Sequence, residues 1–203
     1  MKHTAKTTAE LVAMVVTFPA WLLFIGRSLL FGKTRACAAA SQMAAGWSGV
    51  FGEYLRRMLF RRIFARIGRE VVVSFGTVLT KPTIELGNRV YIGSYCLLGD
   101  VRVGDDTLIA DHVCIPSGGG QHGIDRLDVP IREQPGEFRT INIGRDCWIG
   151  SNSVILADVG SHCVVGAGSI VTKPLSDYQI VVGNPAVVIG NRRDRAAAKE
   201  ARA

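Results

Sequence analysis

The sequence predicts a mainly β chain: a parallel β-helix of hexapeptide repeats, preceded by a helical segment suited to a membrane. Three observations carry this. A six-residue beat runs through Ile84-Glu85-Leu86-Gly87, Val90-Tyr91-Ile92-Gly93 and Cys96-Leu97-Leu98-Gly99, continues at Val101-Arg102-Val103-Gly104, and resumes at Ile141-Asn142-Ile143-Gly144 and Cys147-Trp148-Ile149-Gly150. Repeats of that length mark a parallel β-helix, in which each short unit contributes one inward aliphatic side chain before the chain turns. The beat breaks over Gly118 to Thr140, a polar insertion with a histidine at its root. Ahead of the repeats, Leu11 to Gly26 carries no charge.

The chain divides accordingly into an apolar and basic helical segment over 1–69, a β-helix domain over 70–190 with its insertion over 118–140, and a charged tail over 191–203. A length of 203 residues suits one domain with an appendage and is ample for a core. Net charge is +7. Mean hydropathy is +0.23, high for a basic chain with a pI near 9.5.

The first segment accounts for both extremes. With Arg27 tolerated, the apolar stretch reaches Gly32, about the minimum to span a bilayer, and Pro19 lies in its middle. Spanning the bilayer and lying in its surface both remain open. A cleaved signal peptide is the competing reading, with Ala36-Cys37-Ala38 as the cleavage site, but Arg27, Lys33 and Arg35 fall where such a peptide is not basic. Beyond it, Phe51, Tyr54, Leu55, Met58, Leu59 and Ile63 recur at helical spacing. Arg56, Arg57, Arg61, Arg62, Arg66 and Arg69 are expected on the polar side. Such a helix fits an anionic membrane surface, or packs on the end of the β-helix. No nucleic-acid motif or interleaved aromatic platform accompanies the arginines, so nucleic acid is not the expected partner.

Within the repeats, three hexapeptides per coil put Leu86, Ile92 and Leu98 on three faces, with Val103, Ile109 and Ile115 stacked on them. Ile143, Ile149 and Ile155 then form the next coil, and Val159, Val165 and Val171 the one above. The five cysteines show no CxxC and no zinc spacing, and read as small buried hydrophobes in a reducing compartment. Periodicity alone does not give the hand of the coil.

Three ordered stretches, Cys147 to Asn152, Val165 to Lys173 and Val182 to Ala186, resemble the signature of the hexapeptide-repeat acyltransferases, nearest the sugar, maltose and serine O-acetyltransferases. A narrower similarity, carried by Gly52 to Arg57, Phe75 to Thr77 and Ser117 to Gly123, is to the acetyltransferases of exopolysaccharide and capsule synthesis. The resemblance implies a left-handed β-helix, a homotrimer with active sites between subunits, acetyl-CoA as donor, and a saccharide or lipid-linked saccharide acceptor. With the apolar N-terminus it places the expected enzyme at the cytoplasmic side of a bacterial inner membrane. No metal is expected.

Transfer of an acyl group from a thioester to a hydroxyl needs a base for the hydroxyl proton and a donor for the developing oxyanion. Histidine suits the first role. His122 stands where the family keeps its catalytic histidine, after Ser117 and the glycines, and is the expected general base. His112 and His162 read as turn residues, and His3 belongs to a terminus. Ser151, by the same resemblance, is the candidate oxyanion donor, and Trp148 walls the acyl or pantetheine channel or else joins the trimer interface. Ala167, Thr172 and Lys173 match positions lining the coenzyme A tunnel, the lysine neutralising phosphate as a point charge. Arg192 and Arg193 are expected in a solvated tail. Two other functions compete: a non-catalytic membrane-tethered scaffold, and a metalloenzyme like the γ-carbonic anhydrases, which needs three histidines on zinc.

Overall fold

The computed structural model describes residues 2–201. Four helices come first: α1 (Lys2–Val16), α2 (Phe18–Phe31), α3 (Lys33–Ala45) and α4 (Gly49–Ile63). The solenoid follows. Its first coil comprises β1 (Arg66–Ile67), β2 (Val72–Val73) and β3 (Val78–Leu79), its second β4 (Glu85–Leu86), β5 (Tyr91–Ile92) and β6 (Leu97–Leu98). The third is β7 (Val101–Val103), β8 (Leu108–Ile109) and β9 (Cys114–Ile115). After the insertion the fourth is β10 (Ile141–Ile143), β11 (Trp148–Ile149) and β12 (Val154–Ile155). Val159, β13 (Val164–Val165) and β14 (Ile170–Val171) make the fifth. Leu175 and β15 (Gln179–Val182) begin a sixth level, which antiparallel β16 (Val187–Asn191) and α5 (Arg192–Glu200) close.

Strands from successive coils pair in parallel register on three faces: β1, β4, β7 and β10 on the first, β2, β5, β8, β11, β13 and β15 on the second, β3, β6, β9, β12 and β14 on the third. The register is the expected one. Leu86 stands beside Val103, Ile92 beside Ile109 and Leu98 beside Ile115. Ile149 lies beside both Ile109 and Val165, and the ladder bridges the insertion without a slip. Each inward aliphatic residue of these coils is buried, worth roughly 1.5–3 kcal/mol of transfer free energy per side chain. One further coil, built on Ile67, Val73 and Leu79, lies below the first that the glycine-terminated pattern marks.

Two of the three edges of the prism are made alike. Between the first and second faces, Glu70, Arg89, Asp106, Asp146, His162 and Tyr178 all have positive φ, and between the second and third, Tyr95, His112 and Asn152 do. A left-handed conformation costs a non-glycine residue roughly 1–2 kcal/mol. Above the lowest coil, where Glu70 lies, it turns each corner amide onto a carbonyl one coil below, as in Asp146 to Asp105 and His162 to Arg145. The edge between third and first faces has no such ladder, and the insertion leaves the solenoid there.

The helices cap the first coil, and here the sequence expectation needs correction. Arg56 and Arg57, expected on the polar outer side of α4, are 1% and 8% exposed. Arg56 donates to the carbonyl oxygens of Val73 (2.6 Å), Ala44 (3.3 Å) and Trp47. Arg57 donates to Val71 O (3.1 Å) and pairs with Glu10 (2.8 Å). The physical reason is twofold: the carbonyls of Val71 and Val73 at the solenoid's lower end have no coil beneath to bond, those of Ala44 and Trp47 lie at the C-terminal end of α3, and both sets take guanidinium donors instead. Burial lowers the pKa of Arg56, with Glu53 opposing that. Small residues of α3, Ala36, Cys37, Ala40 and Ala44, are buried beside it, and Ser41 Oγ accepts from Leu79 N at 2.8 Å. All five cysteines are free. Burial, partly opposed by Lys33, raises the Cys37 thiol to about 11.

On the outside of the cap the large apolar residues of α1 and α2 stay uncovered: Val15 is 73% exposed, Leu29 83% and Leu30 77%. Among the described residues no single helix is long and apolar enough to cross a membrane, although α1 and α2, bent by 44°, pass that test as a pair.

Candidate functional site

The insertion is held at both legs. The Arg139 amide donates to Ser117 O (3.0 Å) and that of Glu137 to Gly120 O (2.7 Å). Arg139 Nη2 reaches Leu156 O in the coil above at 3.1 Å. Below, Asp100 accepts from Thr83 (2.7 Å) and Thr140 (3.0 Å), and its own amide donates to Ser117 Oγ (2.9 Å). In the middle, Gln134, 7% exposed, fastens the loop to itself: Oε1 accepts from Arg126 N (3.1 Å), and Nε2 donates to Arg126 O (2.7 Å) and Val129 O (2.9 Å).

His122 sits exposed on this frame. The peptide joining it to Gln121 packs directly against Gly136, where a Cβ has no room. Sequence reasoning passed over Gly136, Gln134 and Arg139 as positioning residues. A Pro-Gly pair and a glutamine in a polar loop give no signal of what they touch across fifteen residues of chain.

The remaining candidates fall into two groups. Trp148 stands on the second face, 56% exposed, flanked by Leu108 below and Val164 above. Ser151 occupies the edge between second and third faces, and its carbonyl accepts from Gly168 N at 2.8 Å. Ala167 lies beside it, one coil up, so close that a side chain on Gly150 would strike its amide. Gly168 opens on space clear within 4 Å. Ser151, Ala167 and Gly168 leave a small-residue ledge at this edge.

Thr172 and Lys173, both exposed, follow β14 at the edge between third and first faces, the edge that also carries the insertion and His122. One chain therefore brings Thr172 and Lys173 to the edge of His122, and Trp148, Ser151 and Ala167 to the far side of the third face. It does not bring the two groups together.

The other histidines are turn residues. His112 stacks on Tyr95, with ring centroids 5.4 Å apart, at the edge away from the insertion. His162 bonds Asp146 at 2.8 Å and stacks on Tyr178 at 4.6 Å. The side chain of His3 lies outside the described residues. Arg192, expected in a solvated tail, is anchored: Nη1 donates to Asp146 O, Asp146 Oδ2 and His162 O at 3.0–3.1 Å. Arg193 lies over the Tyr178 ring at 3.9 Å. The corner ladder supplies those acceptors, which is why the tail docks. Hydrogen bonding from His162, with the Arg192 charge, holds the Asp146 carboxyl below the usual carboxylate range.

A parallel solenoid with this ledge and insertion defines the class of hexapeptide-repeat proteins. Residues 140–173 match the family described as "Hexapeptide repeat of succinyl-transferase". A curated protein of Mycobacterium tuberculosis, named a probable acetyltransferase, is 31% identical over 118 residues, 55% of this chain and 38% of that protein's length. Among solved structures, a galactoside acetyltransferase in complex with coenzyme A is 27% identical, with 81% of this chain and 84% of that one covered at a TM-score of 0.70. A maltose O-acetyltransferase from Clostridium difficile shares the fold at 22% identity and a TM-score of 0.69, over 80% of this chain and 88% of that one. Over residues 140–173 the chain carries the hexapeptide repeat, and it is similar to acetyltransferases of that fold, although it spans less than half the length of the curated relative it matches.

Proposed function

We propose that this protein transfers an acetyl group from acetyl-CoA to a saccharide hydroxyl, as a homotrimer, at the cytoplasmic surface of a bacterial inner membrane. The observation that carries the reading is the division of the candidate residues between two edges of one prism. A site that uses both groups needs a second copy of the chain, whose His122 edge meets the Ser151 edge of its neighbour.

The outward side chains favour that arrangement. The first face presents Arg66, Glu85, Arg102, Asn142 and Asp158, a solvated pattern. The second presents Tyr91, Leu108 and Trp148, and the third Leu97, Cys114 and Val154. Apolar ladders with Tyr91, Leu108, Trp148 and Leu97 exposed and Cys114 and Val154 half-buried are surfaces for association, and a head-to-tail contact between unlike faces forms a ring where its rotation closes.

In the proposed reaction the His122 imidazole takes the acceptor's hydroxyl proton as that oxygen attacks the thioester carbonyl. Ser151, through its hydroxyl or amide, donates to the oxygen on which negative charge develops. Expulsion of the coenzyme A sulfur restores the carbonyl, and the imidazolium returns its proton to the thiolate. Trp148 and Ala167 border the pantetheine arm, while Thr172 and Lys173 bind further along it. The exposed apolar side of α1 and α2 supports membrane association, and a membrane-bound acceptor supports a lipid-linked precursor of an exopolysaccharide.

Release of coenzyme A thiol by purified protein with saccharide acceptors tests this. His122→Ala is expected to lower kcat by roughly 10²–10⁴-fold. Full activity in that variant, or no thiol release with any glycan, sinks the proposal. Light scattering of Leu108→Glu reads the assembly: a trimer that persists unchanged removes the second face from the interface.

A further inference from the structure

Away from the candidate active site, an open cavity of about 580 Å³ lies between α1, the end of α4 and the lowest corner of the solenoid. Its walls include Lys6, Arg61, Arg69 and Arg89 against only two carboxylates, Glu10 and Glu70. Glu10 is taken by Arg57 at 2.8 Å, and Arg89 is spent on Asp106. Lys6 has a loose, exposed contact of 3.7 Å with Glu70. Among the described residues, neither Arg61 nor Arg69 has a carboxylate partner. Arg61 is half-buried, and its guanidinium reaches a carbonyl, Gly68 O, at 3.2 Å. Burial lowers its pKa, with Glu10 opposing that. Two guanidiniums and an ammonium facing one open cavity, short of anions, fit a phosphate ligand.

A second cavity, of different character, adjoins the first along α1. Lys6, Thr7 and Glu10 border the charged cavity. Leu11, Met14, Val15, Phe18 and Pro19 line a second, apolar cleft of about 440 Å³. Residues 7, 11 and 14 repeat at helical spacing, so the two cavities share one side of α1. Arg61 lines the first and its neighbour Arg62 the second. From Thr7 to Val15 the rise is roughly 12 Å. A charged pocket followed by an apolar cleft along one helix matches a molecule with a phosphate head and a hydrocarbon tail.

We infer that this groove binds a lipid phosphate, the head held by Lys6, Arg61 and Arg69 and the first part of the chain by Leu11, Met14 and Val15. Resting on the proposed lipid-linked acceptor, it gives that acceptor a docking site apart from the catalytic edge, so that its glycan is presented while its anchor stays at the membrane.

Calorimetry on the full chain tests this, with farnesyl diphosphate below its micelle concentration as the probe, beside inorganic pyrophosphate, farnesol and UDP-glucose. Farnesyl diphosphate is expected to bind at least tenfold tighter than any of the other three. Lys6→Ala with Arg69→Ala, both at exposed positions, is expected to weaken it at least tenfold while leaving farnesol unchanged. Val15→Asp should weaken farnesyl diphosphate and spare pyrophosphate. Arg69→Gln answers the same question if the double variant melts early.

The inference is overturned if pyrophosphate or UDP-glucose binds as tightly as the lipid, or if the variants leave the affinity unchanged. A loss of the same factor on phosphatidylglycerol vesicles also overturns it, because diffuse charge then accounts for the effect. Thiol release by wild-type protein and His122→Ala is read separately. Absence of transfer with the lipid phosphate still bound removes the transferase reading alone.

Discussion

The solenoid and its helical cap use charge in opposite directions. On the first face of the solenoid Arg102 points out and meets Glu85 across the strand at 3.1 Å, half-exposed and solvated. In α4, where the sequence pattern places it on the polar outer side, Arg56 points in and is 1% exposed. A β-strand fixes side-chain direction by alternation, so a residue's outward position is decided within its own hexapeptide. A helix offers a continuous range of directions, and what it buries is decided by the partner. Here the partners are an end of sheet and the end of α3, both with free carbonyls, which reward guanidinium donors.

That contrast breaks first at Arg56. Arg56→Ala deprives the carbonyls of Val73, Ala44 and Trp47 of their donor and is expected to cost about 4 kcal/mol of unfolding free energy. Urea denaturation measures it. A loss below about 1 kcal/mol would mean that the cap is held by its apolar contacts and the arginine is incidental. The solenoid's own counterpart is Ile149→Ala, which leaves a hole between Ile109 and Val165. About 3 kcal/mol is expected, in the range for buried aliphatic truncation, with the same measurement.

The difference between these regions also explains what the sequence made legible. The coils from Leu86 to Val171 could be placed face by face, since each stacking pair follows from counting in sixes and allowing for the shortened turns. The lowest coil was harder to see because only Ile67 is followed by glycine: Ser74 and Thr80 stand after Val73 and Leu79 where the second coil has Gly93 and Gly99. The inward turn of Arg56 and Arg57 was hidden, because helical spacing reports which residues share a side and not what lies opposite. Arg192 was hidden for the same reason, its acceptors being Asp146 and His162, far away in sequence.

For the candidate site, the resemblance pointed to His122, Ser151, Trp148, Ala167, Thr172 and Lys173. Their separation into two edges follows from the coil phase: Ser151 comes two residues after Ile149 on the second face, whereas Lys173 comes two residues after Val171 on the third. The scaffold that holds His122 was not legible, because Gly136 and Gln134 act through space across the loop.

Gly136 sharpens that last point. Gly136→Ala places a methyl group against the Gln121–His122 peptide, and the loop must give way. Displacement of a catalytic group by about an ångström costs up to 10²-fold, so a fall in kcat of roughly tenfold is expected, with KM for acetyl-CoA little changed. Because the loop adds little to the core, the melting temperature should stay near that of the wild type. A variant with unaltered kcat would show that the His122 backbone has latitude, and would weaken its assignment as a positioned base.

The smallest effect is expected where the solenoid and the tail meet. Asp146 receives His162 and Arg192, which together hold its pKa down. A carboxylate with a depressed folded-state pKa binds fewer protons folded than unfolded, so its contribution is complete above the unfolded value of about 3.9 and fades as pH falls through the folded one. Asp146 is 45% exposed at its side chain, and solvent screening keeps the contribution small, below about 1 kcal/mol near neutrality. Asp146→Asn should therefore lower the melting temperature slightly at pH 6 and leave it almost equal to the wild type at pH 3, as differential scanning calorimetry would record. If the gap is the same at both values, the carboxylate's charge is not what docks the tail. The neutral acceptors Asp146 O and His162 O, which the asparagine variant keeps, would then suffice for Arg192.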